Sequence, residues 1–424
     1  SHVSGIVIPG RRQRPKIKPS IEKNPQKFVM LPVHARQRRI DLEERLKRLK
    51  EFSEKFKGHK LHWRSREIGI ITSGVSYNYV MEAMPEASVL KLGLIYPLPE
   101  GLIKRFASKV KKLYIVEELD PYLETQIKAM GLDCTGKELL PPYGELDPYK
   151  VRVALTGQSR QTFPSIEVPK RPPILCPGCP HRGVFYAISR TGAFVSGDIG
   201  CYTLAALPPL KAMDTCVCMG ASIGMGFGME KALGPKARGK VLSVIGESTF
   251  LHSGLPHIIN MLYNKSTSTL VILDNRVTAM TGHQPNPVTG ITAKGEPTIA
   301  LDLEAMLKGI GLKHVYTINP HDIETSYSVI KRELQRKELS VVISKAPCAL
   351  LPEVRKARRP VYEVLRDECR GCRACLRIGC PAIWWVPEDA KKGKAEIQAY
   401  LCNGCGECEA LCKFGAIRAK NEGQ

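Results

Sequence analysis

The chain has no run of apolar residues near the ~18 that a membrane-spanning helix needs, so no partner membrane is expected. Its first residues, Ser1-His2-Val3-Ser4-Gly5, lack the apolar stretch of a secretory signal, and a cytoplasmic location is the expectation. Aromatic residues are scarce at 6% and form no stacking platform for single-stranded nucleic acid. Also missing is the even, dispersed cysteine framework of a small secreted scaffold. The 15 cysteines are odd in number and clustered, which points to metal or iron–sulfur ligation in a reducing compartment. What is present is ordinary globular material: 424 residues, 25% charged and 43% hydrophobic, enough for roughly three domains and against wholesale disorder.

Acidic residues are outnumbered, giving a net charge of +22. Residues 1–66 carry 19 Lys/Arg against 6 Asp/Glu. No nucleic-acid motif follows this basic segment, so it reads as a solvated linker or a surface for an acidic protein partner, and no nucleic acid is expected. Prolines 9, 15, 19, 25 and 32 break residues 1–40, and 41–57 read as an amphipathic helix. Its stripe, Leu42, Leu46, Leu49, Phe52 and Phe56, reads as a packing face. Residues 67–156 alternate between strands (68–72, 88–92, 112–116, 150–154) and helices (near 76–84, 99–109, 121–130), a small α/β domain. Glu117-Glu118 reads there as a solvated acidic edge. A proline-rich linker, 157–173, leads to a larger α/β domain, 171–350, with strands at 241–245, 269–273 and 341–344. A second, basic linker at 351–360 suggests that the tail, 361–424, is a mobile appendage.

The tail is the most specific segment. Cys369, Cys372 and Cys375 form C-x2-C-x2-C before Cys380-Pro381, and Cys402, Cys405 and Cys408 repeat it before Cys412. Each half runs into an Ala-Ile pair, Ala382-Ile383 and Ala416-Ile417. This is the two-cluster bacterial ferredoxin pattern, in which the fourth cysteine of each run ligates the other cluster. One 4Fe–4S cluster would take Cys369, Cys372, Cys375 and Cys412, and the other Cys402, Cys405, Cys408 and Cys380. The first run carries one extra residue before its last cysteine, and Lys413 stands where proline is usual. Zinc, which favours four ligands from two short pairs, suits two equal triplets poorly.

In the middle domain Gly246-Glu247-Ser248 follows one strand and Asp274-Asn275 the next, with one helix, near 252–263, between them. A right-handed β-α-β crossover places both polar tips at the same carboxyl edge of a parallel sheet. A carboxylate and an amide oxygen there suit Mg²⁺ with phosphate ligands. The alternative is a helix-cap neighbour and a turn residue. The spacing resembles the thiamine diphosphate motif, whose metal ligands fall on Glu247, Asn275 and the carbonyl of Val277; Glu247 stands where aspartate is usual. Gly220, Gly224, Gly226 and Gly228 are not a G-x-G-x-x-G motif and read as close helix packing. His252 and Gly254 read equally as packing or site residues.

With Cys176-Pro177-Gly178-Cys179-Pro180-His181-Arg182, Gly197-Asp198-Ile199-Gly200-Cys201 and Thr281-Gly282-His283-Gln284, the chain resembles the thiamine-dependent 2-oxoacid:ferredoxin oxidoreductases. Within them it is most similar to the large (alpha) subunit family of indolepyruvate ferredoxin oxidoreductase. Residues 91–99 and 116–121 resemble that family's transketolase-C-terminal-like domain. The resemblance implies three folds in order: a transketolase-C-terminal-like α/β domain, a thiamine diphosphate-binding parallel sheet and a two-cluster ferredoxin module. It implies oxidative decarboxylation of aryl pyruvates, indolepyruvate among them, with coenzyme A and ferredoxin, in a hetero-oligomer with a small (beta) subunit. The family's large subunit begins with a further domain on the pyrimidine side of the cofactor, and the resemblance implies that this sequence starts after it, with that domain either on another chain or absent. Gly200, Cys201, Gly246, Glu247, Ser248, Asn275, Val277 and Thr281 are then cofactor-binding candidates, and His283 a candidate proton carrier. Two other function classes compete: a non-oxidative thiamine decarboxylase and an electron-transfer subunit without its own active site. Cys176, Cys179, Cys201 and Cys348 fall where relatives hold another 4Fe–4S cluster beside thiamine; free buried thiols or a zinc site are the alternatives.

Overall fold

The computed structural model describes residues 8–13, 20–158, 172–357, 359–389 and 392–420. Pro164 and Pro169 of the first expected linker lie outside them. The chain divides into two compact units, Ser1–Val168 and Pro169–Gln424.

In the first unit a short helix, α1 (Pro25–Phe28), precedes α2 (Pro32–Glu54). The long helix begins nine residues before the expected start because Pro32 sits in its first turn, where a missing N–H costs nothing. Its stripe packs only in part: Leu42, Leu46 and Phe56 are half-buried, whereas Leu49 is 42% and Phe52 55% exposed, and Ser53 is the buried residue of the helix. Then come β1 (Lys60–His62), β2 (Ser65–Ser73), α3 (Ser76–Ala83), β3 (Ala87–Leu92), α4 (Glu100–Ala107), β4 (Lys112–Val116), α5 (Tyr122–Ala129) and α6 (Pro148–Thr156). The sheet order is β1-β3-β2-β4, parallel except for β1. The sheet thus starts at Lys60, ahead of residue 67.

Alternation along these strands makes two cores. Ile71, Leu90 and Ile115 face Ile103, Phe106 and Ile127 on one side. Ile70, Val89 and Val116 face Val80, Leu146 and Val151 on the other. The expected strand at 150–154 is helix α6. Asp147 caps it through a 2.7 Å bond from the Lys150 N–H, Pro148 opens it, and Gly157 closes it at φ 69. Glu117 is not a solvated edge: it is 8% exposed and accepts the N–H groups of Leu123 and Glu124 at the start of α5.

The second unit holds α7 (Pro180–Ser189), β5 (Phe194–Gly197), β6 (Thr215–Cys216), α8 (Ala221–Leu233), β7 (Val241–Gly246), α9 (Glu247–Thr249), α10 (Leu255–Tyr263), β8 (Thr269–Asp274), α11 (Leu303–Gly309), β9 (His314–Ile318), α12 (Ile323–Leu334) and β10 (Ser340–Lys345). Helix starts directly at Glu247, earlier than expected, with a π-turn over Phe250–Gly254 joining α9 to α10. The six strands are all parallel, in the order β6-β5-β7-β8-β10-β9. Leu242, Val244 and Val271 pack beneath α7 and α12, and Ile245, Ile272 and Val341 beneath α10 and α11. Each such side chain stabilises the fold by roughly 1.5–3 kcal/mol.

This order has a switch point. From β5 the chain moves outward to β6, then returns to β7 and continues the other way. Between the carboxyl ends of β5 and β7 the loops diverge and leave a crevice, the place where open α/β sheets bind ligands.

After α13 (Pro352–Lys356), inside the second expected linker, the tail forms β11 (Tyr362–Val364), a hairpin of β12 (Ile383–Pro387) and β13 (Gly393–Ile397), α14 (Glu407–Ala410) and β14 (Ile417–Ala419). β11 pairs antiparallel with β14. The tail is not a loose appendage. Its core, with Ile378, Ile383 and Ile417, includes Ile323 of α12. Among the described residues no helix is long and apolar enough to cross a membrane.

Candidate functional site

The switch-point crevice holds a cavity of about 210 Å³. Gly200 and Cys201 reach it from the β5 loop, Gly246, Glu247 and Ser248 from the end of β7, and Asn275, Val277 and Thr281 from the β8 loop. Every cofactor-binding candidate of the sequence therefore lines one cavity. The local packing explains the glycines. Tyr202 is 3% exposed, and its hydroxyl accepts the Gly246 N–H at 2.9 Å and donates to Ile199 O at 3.2 Å. A side chain on Gly200 would collide with the Tyr202 ring. Asp198, fully buried, accepts the N–H groups of Gly220 and Ser222 and so caps α8. His252 lines the cavity, while Gly254 packs against Phe250, Ile223 and Ile245.

Glu247 is 3% exposed, and its carboxylate accepts one bond from Asn286 Nδ2 at 3.0 Å. Burial, aided by the nearby Asp274, pushes its pKa up to about 7. Asn275 is oriented from both ends. Its Oδ1 accepts the Val277 N–H at 3.2 Å, and its Nδ2 faces His181 Nε2 at 3.3 Å. Burial holds His181 near a pKa of about 4, so the ring is neutral and its Nε2 can accept from the amide. Glu247, Asn275 and Val277 line the same cavity, and a carboxylate, an amide oxygen and a main-chain carbonyl contributed there would be hard oxygen donors of the kind that suit Mg²⁺. Arg276, at φ 62, turns the backbone between Asn275 and Val277.

His283 lies apart. It is exposed, at φ 61, in a loop closed by paired bonds between Thr278 and Gln284, and it is not among the residues lining the cavity. The residues that orient the site, His181, Tyr202 and Asn286, went unassigned in the sequence. Only His181 had a local signal, inside Cys-Pro-Gly-Cys-Pro-His-Arg.

The tail cysteines fall into two rings. Cys380, Cys402, Cys405 and Cys408 line one small cavity. Cys369, Cys372, Cys375 and Cys412 line a second. The first shares its wall with Pro177 and Gly178 of the middle domain. Burial pushes the Cys405 thiol up to about 12 and Cys375 to about 11, so either site must offer strong compensation to the thiolates. His321, Cys405 and Glu407 also converge, with ligand atoms within 4.8 Å of one another.

Cys176, Cys179, Cys201 and Cys348 come from three places: the segment before α7, the loop after β5 and the segment after β10. The N–H of Cys348 bonds Asn275 O at 2.9 Å, which ties this group to the oxygen donors. Cys176 and Cys348 both act electrostatically on Cys179 and Cys201. Burial raises the thiols of Cys179, Cys201 and Cys348.

Residues 198–344 match the thiamine pyrophosphate enzyme family, in its C-terminal TPP binding domain. Over its full length the chain is 37% identical to the indolepyruvate oxidoreductase subunit IorA of Pyrococcus horikoshii and spans 72% of that protein. It is 36% identical to the subunit of that name from Archaeoglobus fulgidus, over 99% of this chain and 70% of the relative. A solved 2-oxoglutarate:ferredoxin oxidoreductase from Magnetococcus marinus is 19% identical over 42% of this chain and 66% of its own, with a TM-score of 0.37. The thiamine-binding match falls on the sheet whose crevice gathers the donors, and the full-length relatives share one name: the chain belongs to the indolepyruvate oxidoreductase subunit IorA family and is an oxidoreductase.

Proposed function

We propose that the chain carries out ferredoxin-dependent oxidative decarboxylation of an aryl pyruvate such as indolepyruvate, with coenzyme A as acyl acceptor, as the large subunit of a cytoplasmic hetero-oligomer with a small subunit. The reading rests on Mg²⁺–thiamine diphosphate in the switch-point cavity and 4Fe–4S clusters in the two cysteine rings. The observation that carries it is the division of the eight tail cysteines into two four-cysteine cavities, one walled by the loop that begins the thiamine domain.

The residues fit these groups. Glu247 is a buried carboxylate whose pKa is raised by burial and by the nearby Asp274. Mg²⁺ held by Glu247, Asn275 and the Val277 carbonyl would supply the charge and present ligand positions to a diphosphate. When bound, thiamine diphosphate supplies a carbanion for attack on the keto carbon and a sink for the electrons released with CO₂. The chain's own part is placement. His181 and the Val277 N–H fix the amide of Asn275, Tyr202 locks the β5 loop to the end of β7, and Leu273, Met219 and Met280 keep the cavity wall apolar. Cysteine-bound clusters accept electrons singly, so handing the two electrons of a 2-oxoacid oxidation to ferredoxin would take two one-electron steps through them. Cys176, Cys179, Cys201 and Cys348 would hold a further cluster between that cavity and the tail. His283, exposed and off the cavity, is a proton carrier only if its loop closes on bound substrate.

Glu247→Ala tests the reading. The variant should keep its iron and bleach normally with dithionite, but lose bleaching by aryl pyruvate plus coenzyme A, with thiamine diphosphate affinity reduced at least tenfold. Substrate-driven bleaching at the wild-type rate would overturn the assignment.

A further inference from the structure

Arg182, in the first turn of α7, is 2% exposed and the largest fully buried side chain among the described residues. Its guanidinium donates to four main-chain carbonyls: Ile378 O at 3.0 Å, Gly379 O, Leu175 O, and Cys176 O at 3.0 Å. Two of these immediately precede Cys380, and the others lie at and before Cys176. The Nε atom has no acceptor, and no carboxylate is among its partners. Carbonyl dipoles satisfy N–H groups but do not neutralise a charge, and removing a guanidinium from water costs several kcal/mol when it is left unpaired. Glu407, a buried carboxylate lining the adjoining cysteine cavity, bonds His321 Nδ1 at 2.8 Å through Oε1, leaves Oε2 without a partner, and acts on Cys380 in the sense opposite to Arg182. Arg182 is the buried cation beside this cavity that has no carboxylate bonded to it.

We propose that Arg182 is the counter-ion of the iron–sulfur cluster held by Cys380, Cys402, Cys405 and Cys408, a positioning residue that makes this cluster easier to reduce. The inference rests on the cluster reading of the tail. A cluster bound by four thiolates is anionic, and reduction adds one electron and one more negative charge. A fixed cation in a low-dielectric surrounding favours the reduced form more than the oxidised one. Arg182 bonds the carbonyls of Ile378 and Gly379, just before Cys380, and that of Cys176, so its charge lies beside the cysteines on both sides of it. It makes no contact with the ring of Cys369, Cys372, Cys375 and Cys412, so the two tail clusters become inequivalent. The one against the thiamine domain is biased to receive electrons.

The test is a redox titration of the holoenzyme followed by electron paramagnetic resonance, with iron and sulfide counted in each variant. Arg182→Gln should keep the wild-type iron content, while one tail cluster becomes at least tenfold harder to reduce, ~59 mV for a one-electron couple, and the other stays unchanged. Arg182→Lys keeps the charge but not the fork that spans four carbonyls, and should hold its potential within threefold of wild type. Unchanged potentials in Arg182→Gln would overturn the inference, as would an equal shift in Arg182→Lys, which would assign the effect to lost packing. If Arg182→Gln fails to hold iron, Arg182→Lys decides: loading with a near-native potential supports the counter-ion, and failure to load overturns it. Wild-type enzyme without iron would overturn the cluster reading itself, a result distinct from normal iron with unmoved potentials.

Discussion

At the scale of single residues, the spacing of Glu247 and Asn275 at the ends of two apolar runs was enough to bring them to one edge. Their partners were not legible. Asn286 lies 39 residues from Glu247 and His181 lies 94 from Asn275, and no local pattern announces such contacts. These two buried groups oppose each other in pH. Folded Glu247 keeps its proton up to about pH 7, whereas the unfolded chain releases it near 4.5. Stability therefore falls as pH rises through that window, by on the order of 3 kcal/mol. Folded His181 resists protonation down to about pH 4, whereas the unfolded ring takes a proton near 6.5. Stability therefore rises with pH through that window, by a similar amount. Without Mg²⁺ the two slopes cancel where they overlap. Urea denaturation with a chelator present should show stability rising with pH in Glu247→Gln and falling with pH in His181→Asn. Flat profiles in both variants would contradict these pKa assignments.

At the scale of elements, β7, β8 and β10 were legible because strands buried on both faces read as unbroken apolar runs. Helix α6 was misread for a physical reason. Val151 and Val153 alternate like a strand, but Asp147-Pro148 and Gly157 cap the segment as a helix, and the caps decide. The glycines of α8 were read as close packing, and only part of the run behaves so. A side chain on Gly226 would collide with Ser243 Oγ, which itself bonds Ser222 O at 3.2 Å. Gly228, two residues on, has open space. Gly226→Ala should destabilise the unit by about 1–3 kcal/mol through overpacking. Gly228→Ala should stabilise it by about 0.5–1 kcal/mol, because the glycine has more conformational freedom to lose. Denaturation midpoints moving in the same direction for both would refute this account of the helix.

At the scale of the whole second unit, the cysteine spacing groups the eight tail cysteines as the two cavities do, but it gives no sign of the seam that holds the tail to the middle domain. That seam is built from single long-range contacts. Arg182 reaches Ile378 across 196 residues, His321 reaches Glu407 across 86, and Asn403 presses on Gly178. Gly178 is at φ 65, and a side chain there would collide with the Asn403 amide. Gly178→Ala should therefore loosen the tail by about 1–3 kcal/mol and speed its removal by protease, with the parallel sheet still folded. An unchanged cleavage rate would mean that Gly178 does not hold the seam. In the proposed reaction, oxidation of a 2-oxoacid in the switch-point cavity reduces the cysteine-bound clusters. Its most direct measurement is anaerobic rapid mixing of the assembled enzyme with indolepyruvate, with and without coenzyme A, while the iron–sulfur absorbance is followed. Bleaching that runs to completion only when both are present is the predicted result. Release of CO₂ and aldehyde with the clusters still oxidised would contradict it.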